Sequence, residues 1–233
     1  MGTIWNNLPY LLSGAAATLQ LSIGAVVLAL VLGVGAGIAR LYGSRLVSGV
    51  AATYIGLFRG TPVLVQMFFA FFGLPMVLGW NISAFAAATL ALVLNNGAYF
   101  AEITRGGLQS VPRGQWTAGF ALGLTFRQVL RYVIAPQAVR RITPPAVGQF
   151  TILVKDTSIA SIVGFFELTK AGQHVVERTL ASFEIFTVVG ALYFLVCYAG
   201  TWASRRLENR LTNSNGVGIQ QWRYVLGESR PRP

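Results

Sequence analysis

Polar side chains at helical spacing interrupt two apolar stretches of this sequence. Asn95, Tyr99 and Glu102 stand at positions i, i+4 and i+7, so they share one face of a helix. Gln149 and Asp156, seven residues apart, share a face in a later stretch. Polar groups at bilayer depth are costly and usually face other helices or a water-filled path. The two stripes therefore predict one polar path through a membrane.

Two adjacent charges, Lys155 and Asp156, suit a ligand that carries both charges, because a carboxylate needs a cation and an ammonium group needs an acceptor. Adjacent helical residues point about 100° apart, however, so the two cannot aim at one ligand. The alternative is structural: Lys155 extends to the interface or pairs locally, and Asp156 caps a helix ending near Thr157. Both interpretations stay open. For Glu102 we favour a structural pair with Arg105, one turn away.

Common catalytic motifs are missing from the sequence. Its two lysines, Lys155 and Lys170, do not belong to a GxxxxGK phosphate-binding loop, and neither HExxH nor GxSxG occurs. The single cysteine, Cys197, excludes an intrachain disulfide and a cysteine metal cluster. We therefore expect no catalytic site, no metal site and no cofactor in this chain, which argues against an intramembrane enzyme.

The composition places the polar residues in a bilayer. Of 233 residues, 54% are hydrophobic and only 11% are charged, whereas about a quarter are charged in soluble domains. The net charge of +11 arises from 18 Lys and Arg against seven Asp and Glu. In a soluble protein this surplus would suggest nucleic acid, but here the cations cluster between apolar runs, as in cytoplasmic loops. We expect a multi-pass membrane protein without a nucleic-acid partner.

An all-α fold with about five transmembrane helices fits the apolar runs. The expected spans lie within residues 11–39, residues 60–101 (two spans, with a turn at 73–83), residues 142–166 and residues 185–204. The fourth is less apolar than the others. In the first, Gly33 and Gly37 form a GxxxG pair that allows close contact with another helix.

Loop charges predict the orientation of the chain. Arginines follow the first, third and fifth spans, whereas the remaining loops are uncharged or mixed. Basic loops face the cytoplasm, and five spans put the termini on opposite sides. We expect residues 1–10 outside, residues 11–206 as the transmembrane domain, and residues 207–233 as a cytoplasmic tail that is a short helix followed by disorder.

The basic loop at residues 110–125 is expected to contain a short helix. Pro112 suits the first turn of this helix, and Gly123 suits the position that ends it. Thr125 and Gln128 form a capping box for a second helix. The exposed apolar side chains of the first helix are expected to be Trp116, Phe120 and Leu122. Such a helix either rests on lipid headgroups or docks on a partner protein.

This loop resembles the EAA loop of binding-protein-dependent ATP-binding cassette (ABC) importer permeases. That pattern is E-A-A, three variable residues, glycine, and later a hydrophobic residue two positions before a proline. The matching residues are Ala118, Gly123, Ile134 and Pro136. Thr117 stands where glutamate is expected, and Gly119 replaces the second alanine. A contact made by that glutamate cannot be carried over.

Other stretches are similar to the polar amino acid uptake branch of the same family. They are "FRGTPVLVQ" (58–66), "AYFAEITRGGLQSVPRGQ" (98–115), "APQAVRR" (135–141) and "LVKDTSIASIVG" (153–164). Together with the loop they cover residues 54–165, most of the predicted membrane domain.

The resemblance implies a type I importer permease in the bacterial inner membrane, which moves a polar L-amino acid by alternating access. It implies three kinds of partner besides lipid and substrate: a dimer of ATPase subunits that holds ATP and Mg²⁺, a second permease chain that is identical or a sister, and an extracytoplasmic solute-binding protein. The helix in the loop would be the coupling helix, touching the ATPase through Arg113, Gln115, Trp116, Ala118, Phe120, Leu122 and Gly123.

The remaining candidate residues fall into two groups. The substrate path would be lined by Asn95, Tyr99, Gln149, Lys155 and Asp156. Structural or interface roles are expected for Arg59, Pro62, Glu102 and Pro136, with Thr61 capping a helix that Pro62 starts. The alternative function is an ion-gradient-driven secondary transporter or channel. Such proteins commonly show internal repeats, and we find no convincing repeat here.

Overall fold

The described part of the chain, residues 2–79 and 81–213 of a computed structural model, contains helices and no strand. The all-α prediction is confirmed. The α-helices are α1 (Gly2–Tyr42), α2 (Arg45–Gly60), α3 (Val63–Phe68), α4 (Leu74–Leu78), α5 (Ala84–Gln109), α6 (Arg113–Ala121), α7 (Phe126–Gln128), α8 (Ala135–Asp156), α9 (Leu168–Thr179) and α10 (Ser182–Asn213). π-Helical segments, Phe69–Gly73 and Val129–Ile134, join α3 to α4 and α7 to α8, and the 3₁₀ segment Thr157–Ser161 follows α8.

Three helices are long and apolar enough to cross a membrane: Ile4–Tyr42, Ala84–Gln109 and Ser182–Trp202. The pair Arg45–Gly60 and Val63–Leu78, bent by 104°, counts as a fourth if it forms one span. The predicted span at 142–166 falls on α8 and the turn after it, and α8, which contains Pro144 and Pro145, does not meet this test. Its crossing stays a prediction.

The long helix α1 packs most extensively against α5. At 41 residues, α1 measures about 60 Å at 1.5 Å per residue, twice the hydrocarbon thickness. The backbones come close because Gly33 and Gly37 lie on the contact face: a Cβ on Gly37 would be 2.6 Å from the carbonyl oxygen of Ala101. The close contact predicted for the GxxxG pair is present.

Side-chain hydrogen bonds hold the sharp bend between α2 and α3. Pro62 removes an N–H donor at the break, and the Gln66 amide donates to the carbonyl oxygens of Phe58 and Thr61 and to the Thr61 hydroxyl, at 2.8–3.0 Å. The Asn95 amide, from α5, also donates to the Phe58 carbonyl oxygen at 2.9 Å. These hydrogen bonds fix the angle between α2 and α3.

One local prediction at this bend is wrong. The Thr61 hydroxyl donates back to the Leu57 carbonyl oxygen, so Thr61 caps the end of α2 and not the start of α3; Arg59 lies in the last turn of α2. Pro62 does precede α3, as its N-cap residue. The predicted turn at 73–83 is also shorter, because helix continues to Leu78 before Gly79 turns the chain with φ of 69°.

Glu167 joins three helices, although no part of it is exposed. Its carboxylate caps α9 by accepting from the Lys170 N–H at 2.8 Å, and accepts the hydroxyl of Tyr193 on α10 at 2.6 Å. Thr18 of α1 lies 3.5 Å away. Helix α10 continues to Asn213, so residues 207–213 of the expected tail are helical. The remainder, residues 214–233, lies outside the described residues.

Candidate functional site

The basic loop at residues 110–125 contains the helix that its sequence predicts. Helix α6 covers Arg113–Ala121, and Gly123 adopts the left-handed conformation with φ of 79°. Pro112 is the N-cap residue just before α6 and not a residue of its first turn. Thr125 and Gln128 form the expected capping box of α7. The local signals thus place both helices correctly.

Gly119 lets α6 lie against the π-helical segment that leads into α8. It is buried, and a Cβ there would lie 2.8 Å from a methyl group of Val129. Val129 is fully buried, in a cluster with Leu108, Val111, Ile134 and Ala138. The glycine that replaces an alanine of the family pattern is therefore the contact point between α6 and this cluster.

Some large apolar side chains in and next to α6 are exposed, and others are packed. Phe120 is 47% exposed and Leu122, just after the helix, is 79% exposed, as predicted. Trp116, in contrast, is half-buried, with its ring 5.4 Å from that of Phe126 in a stacked arrangement and 6.3 Å from that of Tyr42. The prediction of an exposed Trp116 is wrong, because the ring fastens α6 to the C-terminal end of α1.

A cleft of about 650 Å³ opens beside α6. Its walls include Tyr42, Leu108, Arg113, Trp116 and Phe120. Among the other expected contact residues, Ala118 and Gln115 are exposed, and the Gln115 side-chain oxygen accepts a hydrogen bond from Gln137 at 3.2 Å. Thr117, at the expected glutamate position, is also exposed.

The stretch of sequence that contains α6 carries only positive charge. Between residues 103 and 155 the sequence contains no Asp or Glu. Its arginines there are Arg105, Arg113, Arg127, Arg131, Arg140 and Arg141. Pro136, the last residue of the family pattern, is exposed in the first turn of α8.

The polar stripe predicted on α5 faces helix α2. Asn95 is buried and bonded to the α2 backbone, and the Arg59 guanidinium lies 5.2 Å from the centre of the Tyr99 ring. Glu102 accepts Arg105 at 2.7 Å, the expected pair, and also approaches Arg59 at 3.7 Å. These three residues of the stripe attach the end of α2 to α5.

The polar residues of α8 lie in different surroundings. Gln149 is buried and donates to the side chain of Asn96 at 2.7 Å, a partner that helical spacing did not indicate. Lys155 is exposed and lines a cleft of about 530 Å³ between α8 and α10. Asp156 is the last residue of α8 and half-buried, but its side chain makes no capping hydrogen bond. Among the described residues, Lys155 and Asp156 form no ion pair.

Residues missed from the sequence are Asn96 and Gln66. Both lie within uncharged apolar runs. The one available signal is the Asn95-Asn96 pair, because two consecutive residues of a helix point about 100° apart and so face different neighbours. The side-chain oxygen of Gln66 is buried without a hydrogen-bond partner among the described residues.

Known proteins with related sequences and folds cover nearly the whole chain. Residues 29–213 match the family described as binding-protein-dependent transport system inner membrane component. The glutamine transport system permease protein GlnP of Escherichia coli (strain K12) is 40% identical over 209 residues, covering 89% of this chain and 95% of that protein. The L-cystine transport system permease protein TcyB of Bacillus subtilis (strain 168) is 35% identical over 204 residues, 87% of each chain.

Solved structures agree with this assignment. The crystal structure of an amino acid ABC transporter with histidines matches with a TM-score of 0.84 at 35% identity, over 89% of this chain and 96% of the other. An inward-facing MetNI methionine ABC transporter matches with a TM-score of 0.75 at 19% identity, over 87% and 96%, a likeness of fold. These matches show a non-catalytic permease subunit of an ABC importer with the type I fold, which works in the membrane with a further permease chain and a separate ATPase. The chain therefore belongs to the family of binding-protein-dependent transport system inner membrane components.

Proposed function

We propose that this chain carries a polar L-amino acid into the cell, and that glutamine is the first substrate to test. The observation that carries this proposal is the 40% identity to the Escherichia coli glutamine permease along almost the full length of both chains. An extracytoplasmic binding protein would deliver the substrate, with the N-terminus outside and the C-terminus in the cytoplasm of a bacterial cell. The basic loops that predict this orientation include residues 105–141.

Helix α6 would be the coupling helix, seated in a groove of the ATPase dimer that binds ATP and Mg²⁺. Exposed Phe120 and Leu122 supply the apolar contact, since large exposed apolar side chains in a polar loop mark protein interfaces. With Thr117 in place of the family glutamate and no acid between residues 103 and 155, the charged contacts must come from arginines such as Arg113. The groove of this ATPase is expected to carry acidic side chains.

The substrate would pass between this chain and its partner permease, because one chain of this size does not enclose a channel. Lys155, exposed at the α8–α10 cleft, suits a carboxylate, and the half-buried Asp156 suits an ammonium group. Because the two point in different directions, each would act on an amino acid together with a complementary group of the partner permease. Asn95, Tyr99 and Gln149 would shape the wall of the path through the packing of α2, α5 and α8. ATP binding would draw the two coupling helices together, and hydrolysis would reset them.

Uptake of labelled glutamine tests the substrate. Cells lacking this permease and cells that express it again should differ in uptake, with unlabelled arginine, cystine and glutamate as competitors. We expect that uptake needs ATP and that unlabelled glutamine inhibits it most strongly. Uptake that survives ATP depletion and follows an ion gradient would contradict the proposal and favour a secondary transporter. ATP-dependent uptake of another amino acid would change the assigned substrate and leave the role as an importer permease unchanged.

Recovery of the ATPase with an affinity-tagged permease tests the coupling helix. Gly123→Val forces a β-branched residue into the left-handed region, at a cost of roughly 1–2 kcal/mol, and should reduce the amount of ATPase that co-purifies. Gly106→Val is the matched control, because Gly106 is exposed on α5 and a Cβ there meets no atom within 4 Å. Equal recovery with both variants would exclude the assigned role of the Gly123 turn.

A further inference from the structure

Three arginines from three helices converge on one carboxylate. Glu102 lies 2.7 Å from Arg105 of its own helix, 3.3 Å from Arg40 at the end of α1, and 3.7 Å from Arg59 at the end of α2. Three positive charges thus meet a single negative charge, which leaves a surplus of two. The arginine side chains are 29–41% exposed, so a ligand can reach them.

Two of these guanidinium groups are held in place with most of their donors unused. A guanidinium group has five N–H donors. Arg105 directs Nε and Nη2 to Glu102 and Nη1 to Gln109. The closest approach of Arg40 and of Arg59 to Glu102 is through Nη1, and in the described part of the chain their guanidinium groups pair with no other carboxylate and donate no hydrogen bond. The Tyr99 ring, 5.2 Å from the Arg59 guanidinium carbon, holds that side chain in position.

A surplus of cations in a partly buried site is unfavourable unless an anion compensates it, because the groups lose hydration and repel one another. Guanidinium groups pair best with planar carboxylates and with phosphates. Arg40 and Arg105 lie near the C-terminal ends of Ile4–Tyr42 and Ala84–Gln109, two of the helices that are long and apolar enough to cross a membrane. Arginines near the end of a span reach the lipid headgroup region. The phosphate group of a lipid headgroup satisfies both features.

We propose that Arg40, Arg59 and Arg105 form a binding site for the phosphate group of an anionic phospholipid. The site is separate from the α6 surface and from Lys155 and Asp156. It depends on the membrane location of the chain and not on the substrate proposed above. Phosphatidylglycerol is a suitable probe, and phosphatidylcholine, which also has a phosphate but no net charge, is its neutral counterpart.

Binding is measured on the purified transporter complex by native mass spectrometry during titration with either lipid. A basic residue near a membrane surface contributes about 1 kcal/mol, or roughly fivefold in affinity. Arg40→Gln and Arg59→Gln should each weaken phosphatidylglycerol binding about fivefold, and the double variant about 25-fold. Arg178→Gln is the matched control, since this exposed arginine lies on α9, outside the cluster. Equal binding by the double variant and the wild type would overturn the proposal, as would equal binding of the two lipids.

Two further measurements distinguish a lipid site from a free-anion site and from a cluster that only joins helices. If inorganic phosphate at millimolar concentration displaces phosphatidylglycerol completely, the site takes a free anion and the lipid assignment is wrong; retention of the lipid supports it. Glu102→Gln removes the competing carboxylate, so the proposal predicts tighter binding of phosphatidylglycerol. If the cluster merely locks three helices together, this substitution leaves lipid affinity unchanged or lowers it, and that result would overturn the proposal.

Discussion

The close approach of α1 and α5 predicts opposite effects for one substitution at two neighbouring glycines. Gly33 faces α5, whereas a Cβ added to Gly35 would meet no atom within 4 Å. The two residues lie in the same helix, two positions apart, and both have helical backbone. Replacing either by alanine therefore adds the same methyl group to the same kind of backbone, and only the surroundings differ.

The expected magnitude follows from the contacts at each site. Alanine stabilises a helix interior by roughly 1 kcal/mol relative to glycine where the methyl group has space, as at Gly35. At Gly33 the methyl carbon would lie 2.7 Å from the Gly97 carbonyl oxygen and 3.0 Å from the Ala101 nitrogen. These are backbone atoms of a packed helix, which cannot rotate away, and overpacking of this kind costs about 1–3 kcal/mol. The two variants should differ by about 2–4 kcal/mol.

Thermal unfolding of the detergent-purified protein measures this difference. For a chain of this size, 1 kcal/mol corresponds to about 2–4 °C in Tm, so Gly33→Ala should unfold roughly 4–16 °C below Gly35→Ala. The wild type should lie between them. Equal Tm values for the two variants would show that α1 and α5 do not meet through Gly33, and would refute the contact assigned to the GxxxG pair.

Further predictions concern single contacts. Tyr193→Phe removes the hydroxyl that donates to fully buried Glu167 and should destabilise the protein by about 1–3 kcal/mol in thermal unfolding, whereas Tyr198→Phe, at an exposed site, should change little. Gln66→Leu removes the donor to the Thr61 carbonyl oxygen and one of the two donors to that of Phe58, and should lower Tm by an equivalent of about 1–3 kcal/mol; an unchanged Tm would mean that water replaces the amide. Gly119→Val should reduce ATPase recovery while the permease remains in the membrane fraction, because the added methyl groups collide with the cluster under α6; undiminished recovery would contradict this role.

Local sequence rules predicted the α6 region well, because its helix ends are set by residues close in the chain. Gly123 and the Thr125–Gln128 pair act through backbone conformation and hydrogen bonds over three residues. The exposure of Trp116 could not be predicted in the same way. It depends on Tyr42, from a helix end more than seventy residues earlier in the sequence.

The partners of polar residues were the least predictable part. Helical spacing correctly placed Asn95 and Glu102 on one face of α5, but it did not determine whether that face meets water or another helix. Likewise, Glu167 occurs in a stretch with mixed charges that suggests a solvated loop, yet it is buried among α1, α9 and α10. The same helical periodicity fits a face that lines a path and a face that packs against another helix, and only the tertiary structure distinguishes the two.

These contacts limit where a substrate can bind. Asn95 and Glu102 already have partners on α2, and Gln149 is engaged with Asn96. A side chain that must leave such a partner to bind a substrate loses one hydrogen bond for each one gained, so its net contribution to affinity is small. Lys155 and Asp156, without ion-pair partners in the described residues, do not have this cost. Since they point in different directions from one helix, a zwitterionic amino acid can contact both kinds of charge only if the second permease chain supplies the complementary group.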